Sequence, residues 1–454
     1  MSFTKRSLFD DLYKPMNLWE KKRRNLSESI EEKIYEGYLS KYSKKRDKYK
    51  LNFFILTQQE LLYMKTKKSK VIYGFMKLKW VRNYYESFLY EGQKSFLITF
   101  VRNMKYSSFL ATNEDEFLQW KTALSKVCIQ TDFILCFKIM SLLGEGGFGK
   151  VYLAKDLQDN QLSALKIYPK EKFTEEPVNK LSLVREIEIL KSLNHPNIIS
   201  LKKIYETSNH IYLVFEYIQG IDLEKMITSK YQFSYAEVKI IFKILLECLI
   251  YLKSKRVVHR DLKPSNLIII KNNEKTIKNL KIIDFGLSIS MNNISDLHLC
   301  GTPGYIAPEL FDKSKQLAYL YGAATDIFSI GATIFHIAHG KSPFESKNKY
   351  KILKKNKKCE INYSEDNEIH FPEINNIISE MLKFDPTKRI TPEKALDHPI
   401  FDDLNTSYNK PNNCTIDSKL LQINNYENDS NCYLTKRPKK ITLYASRDGG
   451  QFIS

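Results

Sequence analysis

The stretch that most constrains this chain is His259-Arg260-Asp261-Leu262-Lys263-Pro264-Ser265-Asn266-Leu267, with Asp284-Phe285-Gly286 beginning eighteen residues after Asn266. A carboxylate at Asp261 suits deprotonation of a hydroxyl. The amide oxygen of Asn266 and the carboxylate of Asp284 suit a hard cation, and Lys263 sets a positive charge between them. Apolar runs 267–270 and 280–283 flank the two pieces and predict short strands, so the polar groups would sit on loops held by a rigid pair. Phosphoryl transfer needs such a set, because its catalysis is mostly positioning and charge neutralisation around Mg2+ and a γ-phosphate.

A chain of 454 residues is too long for one compact core, so two or three domains are expected. It has no run of about eighteen apolar residues of the kind that spans a bilayer. The first residues, Met-Ser-Phe-Thr-Lys-Arg, lack both an apolar signal core and the Gly needed for myristoylation. Seven Cys (128, 136, 248, 300, 359, 414, 432) are scattered without a CxxC pair, which predicts free thiols in a reducing compartment and no zinc site. A cytoplasmic location follows as the expectation, with peripheral recruitment to membranes. The charge is uneven: residues 1–130 carry 26 Lys and Arg against 14 Asp and Glu, most of the net +19. A basic N-terminal third points to an anionic partner, membrane surface or nucleic acid.

Residues 1–32 form a polar, basic lead-in with the cluster Glu20-Lys21-Lys22-Arg23-Arg24, read as helical or disordered. From Ile34 onward, short runs rich in aromatic and β-branched residues recur at 35–41, 49–56, 61–65, 71–77, 95–100 and 107–111. They predict an antiparallel barrel or sandwich. Asn113 then caps a helix with Glu114, Asp115 and Glu116 in its first turn and Phe117, Trp120, Leu124 and Val127 on one face. With the opening Glu36-Gly37-Tyr38-Leu39-Ser40-Lys41, residues 33–130 resemble a pleckstrin-homology (PH) domain. The resemblance implies anionic-lipid contact at the first hairpin, through Lys41, Lys44, Lys45, Arg46 and Lys50. Lipid-binding members often carry a basic residue, one other and then Arg; here the chain reads Lys50-Leu51-Asn52, which argues against a headgroup-selective fork. A protein-binding or intramolecular use stays open. No nucleic-acid module is seen, so nucleic acid is not an expected partner.

Residues 131–136 read as a short linker without a Gly/Ser tether. Then Gly144-Glu145-Gly146-Gly147-Phe148-Gly149-Lys150-Val151 forms a Gly-rich turn between predicted strands 137–143 and 151–154. A further strand with Ala164-Leu165-Lys166 follows, where a dinucleotide-binding turn would lead into a helix. With the His259–Leu267 and Asp284–Gly286 motifs, and with Cys300-Gly301-Thr302-Pro303-Gly304-Tyr305-Ile306-Ala307-Pro308-Glu309, residues 137–401 resemble eukaryotic-type Ser/Thr protein kinases. The fold implied is α+β and multidomain: a PH-type antiparallel barrel with a C-terminal helix, then a bilobal kinase with a β-rich small lobe and a helical large lobe.

The kinase resemblance implies phosphorylation of protein Ser/Thr, with ATP and Mg2+. It makes Asp261 the hydroxyl base, Lys263 the γ-phosphate contact, and Asn266 and Asp284 the Mg2+ ligands. Lys166 aligns ATP with Glu186 on the helix at 183–193, in preference to the neighbouring Glu188. Leu143, Gly144, Glu145, Gly146, Gly147, Phe148, Gly149, Val151, Ala164, Lys166, Glu216, Ile218, Asp222 and Ile268 would line the nucleotide site, with Phe215 behind the adenine. Arg389 would pair with Glu309. Arg260 suggests an anionic group in the activation segment, where His298 stands at a place that often holds a phosphorylated Thr, leaving Ser288, Ser290 and Ser295. Residues 402–454 read as a disordered tail lacking the Phe-rich motif of protein kinase B-type enzymes. The alternative function is an inactive kinase fold serving as a scaffold, but no catalytic residue is missing. The sequence leaves the oligomeric state open. The PH-like domain is read as serving membrane targeting or autoinhibition.

Overall fold

The computed structural model describes residues 7–10, 18–26, 32–43, 48–90, 92–145, 149–175, 177–272, 276–292, 300–311, 322–361 and 371–406. Period-two burial builds the N-terminal sheet: in Gln93–Arg102, Phe96, Ile98 and Phe100 face inward. Its strands are β1 (Lys33–Ser43), β2 (Lys48–Thr57), β3 (Glu60–Met64), β4 (Gly74–Lys77), β5 (Arg82–Tyr90), β6 (Gln93–Arg102) and β7 (Lys105–Ala111), all antiparallel in the order β5-β6-β7-β1-β2-β3-β4. Helix α1 (Glu114–Ser125) closes one end; Asn113 accepts from the Glu116 N–H, and Phe117, Trp120 and Leu124 enter the core. Gly37 passes directly beneath the indole, where a Cβ would lie 3.1 Å from Trp120 Nε1.

The lead-in departs from the helical or disordered expectation. Residues 18–26 run alongside the edge of this sheet: Glu20 and Phe75 exchange backbone hydrogen bonds, and Arg24 and Asn25 pair with Ile72 and Val71. An uncovered edge strand offers unpaired backbone groups, which this segment satisfies. Gly74 admits it, since a Cβ there would stand 2.9 Å from the Glu20 carbonyl oxygen. The basic cluster is partly consumed in packing, with the Arg24 guanidinium 3.6 Å from the Phe75 ring centroid and 3.0 Å from Glu60.

Strand β8 (Ile129–Gln130) joins the two domains. It runs parallel to β5 on one side, through Ile129 opposite Arg82, and parallel to β12 (Leu201–Glu206) on the other, through Ile129 opposite Ile204. The small lobe continues with β9 (Phe137–Glu145), β10 (Lys150–Asp156), β11 (Leu162–Pro169), helix α2 (Pro177–Ser192) and β13 (His210–Glu216), giving one sheet of 13 strands across both domains. In residues 131–136, expected as a linker, Thr131 bonds the Asn83 carbonyl and the Phe133 ring stacks 3.8 Å from that of Tyr212, while Ile134 and Leu135 stand exposed.

The large lobe is built on α3 (Tyr235–Ser254), the hairpin β14 (Leu267–Lys271) and β15 (Ile277–Ile282), α4 (Ala323–His339) and α5 (Pro372–Met381). Ser234 and Glu237 close a reciprocal capping box at the start of α3. Phe242, Leu245, Leu249, Phe328, Ile334 and Ile378 share its buried core, where each such side chain stabilises by roughly 1.5–3 kcal/mol. Among the described residues no helix is long and apolar enough to cross a membrane. The described cysteines are all free.

Candidate active site

Register brings the charged residues together. Strands β10 and β11 set Val151 opposite Lys166, and β11 and β13 set Ala164 opposite Phe215. Lys166 Nζ lies 2.9 Å from Glu186 Oε1 on α2 and 3.0 Å from Asp284 Oδ1. Tyr168 donates to the other Glu186 oxygen at 2.8 Å, so both carboxylate oxygens are fixed. Glu188 turns away to Lys79. Burial works to discharge Lys166, but Glu186, Tyr168 and Asp284 outweigh it and hold its pKa well above the usual lysine range. At Asp284, burial raises the pKa and Lys166 with the Gly286 N–H more than reverses it, keeping the carboxylate charged.

The loop 259–266 is shaped by a buried residue that sequence reasoning did not single out. Asp326 of α4 accepts from the His259 N–H at 2.7 Å and the Arg260 N–H at 2.9 Å. Its sequence signal was its place in Thr325-Asp326-Ile327-Phe328-Ser329-Ile330-Gly331, which begins an apolar helix resembling the central helix of a kinase large lobe. So anchored, the loop turns at Arg260 with φ +66° and presents Asp261. Asp261 Oδ1 accepts from the Thr302 hydroxyl at 2.7 Å, while Oδ2 lies 2.9 Å from Lys263 Nζ and 3.1 Å from Asn266 Nδ2. Asn266 also bonds the Asp261 carbonyl, which spends its amide nitrogen and leaves the amide oxygen as its cation-binding atom. Arg260 Nε reaches the Leu287 carbonyl at 2.7 Å.

Glu216 follows Phe215 at the end of β13, its side chain held by Lys281 at 2.6 Å and the Ser200 N–H at 2.9 Å, leaving Ile218 two residues on. Ile268 sits opposite Asp222. Asp222 caps the short helix Leu223–Thr228 by accepting from the Glu224 N–H, a structural duty beside the ribose contact expected of it. Leu143, Gly144 and Glu145 are exposed at the end of β9; at Gly149 a Cβ would collide with the Ile167 carbonyl at 2.4 Å. Gly146, Gly147 and Phe148 lie outside the described residues, as do Ser295, His298 and residues 407–454. Arg389 and Glu309 meet as a two-pronged pair at 2.8 and 2.7 Å, almost fully buried.

Of the lipid candidates, Lys41 lies 4.6 Å from the Trp19 ring centroid, and burial lowers its pKa. Lys50 is exposed; Lys44, Lys45 and Arg46 lie outside the described residues.

The protein kinase domain family matches residues 137–401, and the PH domain family matches 33–129. The chain belongs to the protein kinase family. This kinase is 34% identical over 268 residues to a probable serine/threonine-protein kinase, fhkC, of Dictyostelium discoideum (58% of this chain, 44% of that protein). It is 34% identical over 266 residues to serine/threonine-protein kinase 33 of Bos taurus, covering 57% and 53% of the two chains. Aurora kinase A-A of Xenopus laevis is 32% identical over 263 residues, 58% of this kinase and 61% of its own length. The chain spans about half the length of the first two relatives.

Two buried histidines give the kinase a predictable acid sensitivity. Burial pushes both His259 and His336 down to about 4, while Asp326 is pushed up to about 6 by its own burial. The histidines are neutral when folded and take up protons when unfolded below about 6.5, so their stabilisation is present above that pH and is lost as pH falls toward 4. Asp326 opposes this, binding its proton more tightly when folded between its ordinary value and about 6. Two groups outweigh one, and stability at pH 5 is expected to fall below that at pH 7. Urea denaturation at both values checks it, and His336→Gln is expected to narrow the difference.

Proposed function

We propose that this chain transfers the γ-phosphate of ATP to Ser and Thr hydroxyls of protein substrates. The observation carrying this reading is the closed set Glu186–Lys166–Asp284 beside Asp261, Lys263 and Asn266, each charge held by a named partner. Lys166, oriented by Glu186, binds the α/β-phosphates. A carboxylate has about four lone-pair sites, so Asp261 accepts the substrate hydroxyl while still bonded to Thr302, and takes its proton. Lys263, already at the Asp261 carboxylate, neutralises charge on the γ-phosphate. The donor set suits Mg2+, a hard cation that takes oxygen ligands: the half-exposed Asp284 carboxylate and the Asn266 amide oxygen would hold it, and it would offset phosphate charge. Val151, Ala164 and Ile268 sandwich the adenine, and backbone groups of Glu216 and Ile218 read its edge.

Ser/Thr rather than Tyr is supported by Lys263-Pro264-Ser265-Asn266 and by the names of the relatives. The scaffold alternative has no missing residue to support it. For the PH domain, anionic-lipid binding would fall to Lys50 with Lys44, Lys45 and Arg46, because Lys41 is engaged by Trp19.

The test is γ-phosphate transfer from Mg·ATP to myelin basic protein, with phosphoamino-acid analysis of the product, with and without phosphatidylserine vesicles. Phosphoserine or phosphothreonine that disappears on chelating Mg2+ supports the reading. A folded protein that binds ATP and transfers nothing would overturn it in favour of the scaffold.

A further inference from the structure

Residues Ser7-Leu8-Phe9-Asp10 bridge the two domains. Asp10 is tied to the PH domain: its Oδ1 accepts from the Asn103 N–H at 2.9 Å, and its Oδ2 lies 3.6 Å from Arg82. Three residues earlier, Ser7 Oγ donates to Glu206 Oε2 at 2.7 Å and the Leu8 N–H to Glu206 Oε1 at 2.8 Å. Glu206 ends β12 of the small lobe, its carboxylate 1% exposed and 2.6 Å from Lys170. Between these anchors Phe9 stacks on Trp80 of the PH domain, centroids 4.5 Å apart and 7° from parallel.

The stacked pair belongs to the same buried core as Tyr168, Phe173, Leu183, Ile187 and Leu190. Leu183, Ile187 and Leu190 lie on α2, the helix that carries Glu186. Two polar contacts pin the same helix to the PH domain: Lys79 to Glu188 at 2.7 Å, and Lys191 Nζ to the Val127 carbonyl at 3.1 Å. A helix bearing one half of a catalytic ion pair needs its outer face fixed, because a shift of about one ångström there already disturbs catalysis.

We propose that residues 7–10 and Trp80 form an intramolecular brace that holds α2 where Glu186 meets Lys166, making the PH domain a support of catalysis rather than an inhibitor of it. Phe9 and Ser7 are positioning residues; neither touches the reacting groups. The brace rests on the phosphotransfer reading for its activity readout, but not for its structural one. Glu206, Lys170 and α2 all belong to the small lobe, so the bonded sheet and the brace carry PH position into the site.

The experiment uses the full chain with Phe9→Ala, Phe9→Leu as conservative rescue, and Ser7→Asp, which sets a second carboxylate against buried Glu206. Hydrogen–deuterium exchange of residues 177–192, kcat and KM for ATP, and thermal unfolding are measured on each. The expected result is faster exchange in α2 and a loss of kcat of roughly tenfold in Phe9→Ala and Ser7→Asp, with Phe9→Leu close to wild type. Unchanged exchange and kcat in both disruptive variants would overturn the brace, as would a rise in kcat. If Phe9→Ala fails to fold, Ser7→Asp decides. If the wild type transfers no phosphate, the activity reading fails, and α2 exchange still judges the brace.

Discussion

Asp261→Asn is expected to lower kcat by about 10²- to 10⁴-fold, the span over which a positioned general base acts, with KM for ATP little changed. The substitution keeps the shape of the side chain. The Thr302 hydroxyl can still bond the amide oxygen, and Asn266 can still reach the Asp261 backbone carbonyl. What is lost is the site that receives the substrate proton, and with it the negative charge 2.9 Å from Lys263 Nζ. On the proposed reading, nucleotide affinity would rest on Lys166 and Glu186, whose ion pair does not include Asp261. Steady-state kinetics in both substrates, with fluorescence titration of a nucleotide analogue, separates these effects. A tenfold rise in KM with kcat preserved would mean that Asp261 serves binding and that the hydroxyl loses its proton elsewhere.

The sequence exposes most of this site because phosphoryl transfer demands residue types that are rare in combination. Asp261, Asn266 and Asp284 stand out by residue type and spacing, and the kinase resemblance prefers Glu186 to Glu188; the structure pairs Glu186 with Lys166 and Glu188 with Lys79. The capping of α1 by Asn113 is equally readable, since a cap is a local signal. What stays hidden depends on distant partners. Strand β5 reads Arg-Asn-Tyr-Tyr-Glu-Ser-Phe-Leu-Tyr, too polar for alternation to declare it, and β8 is two residues long. Together they weld the domains. The lead-in misleads because its charge suggests solvent, whereas Trp19 and Arg24 pack on aromatic rings. Asp326 gives no sign in sequence of holding two backbone amides of another segment.

The pair Glu309–Arg389 carries the second large effect, on stability. Both oxygens of Glu309 are bonded to Arg389, the Thr325 hydroxyl donates to one of them, and Arg389 donates further to the Lys383, Phe384 and Ala324 carbonyls. Removing one partner from such a pair leaves the other charged and out of water, so Arg389→Ala is expected to cost about 3–5 kcal/mol. It also orphans three backbone carbonyls and removes the guanidinium packed 4.9 Å from the Phe328 ring centroid. Glu309→Leu should cost a similar amount by stranding Arg389. The double variant Glu309→Leu, Arg389→Ala buries no unpaired charge and should cost clearly less than the two single changes added together. Urea denaturation of the four proteins closes this cycle. A cost below about 1 kcal/mol for each single change would mean that the pair behaves like a solvated surface pair. The segment from Gly301 to Glu309 would then owe its position to Asn356, which bonds the Gly304 N–H and the Ile306 carbonyl, and to Ser329, which holds the Tyr305 carbonyl.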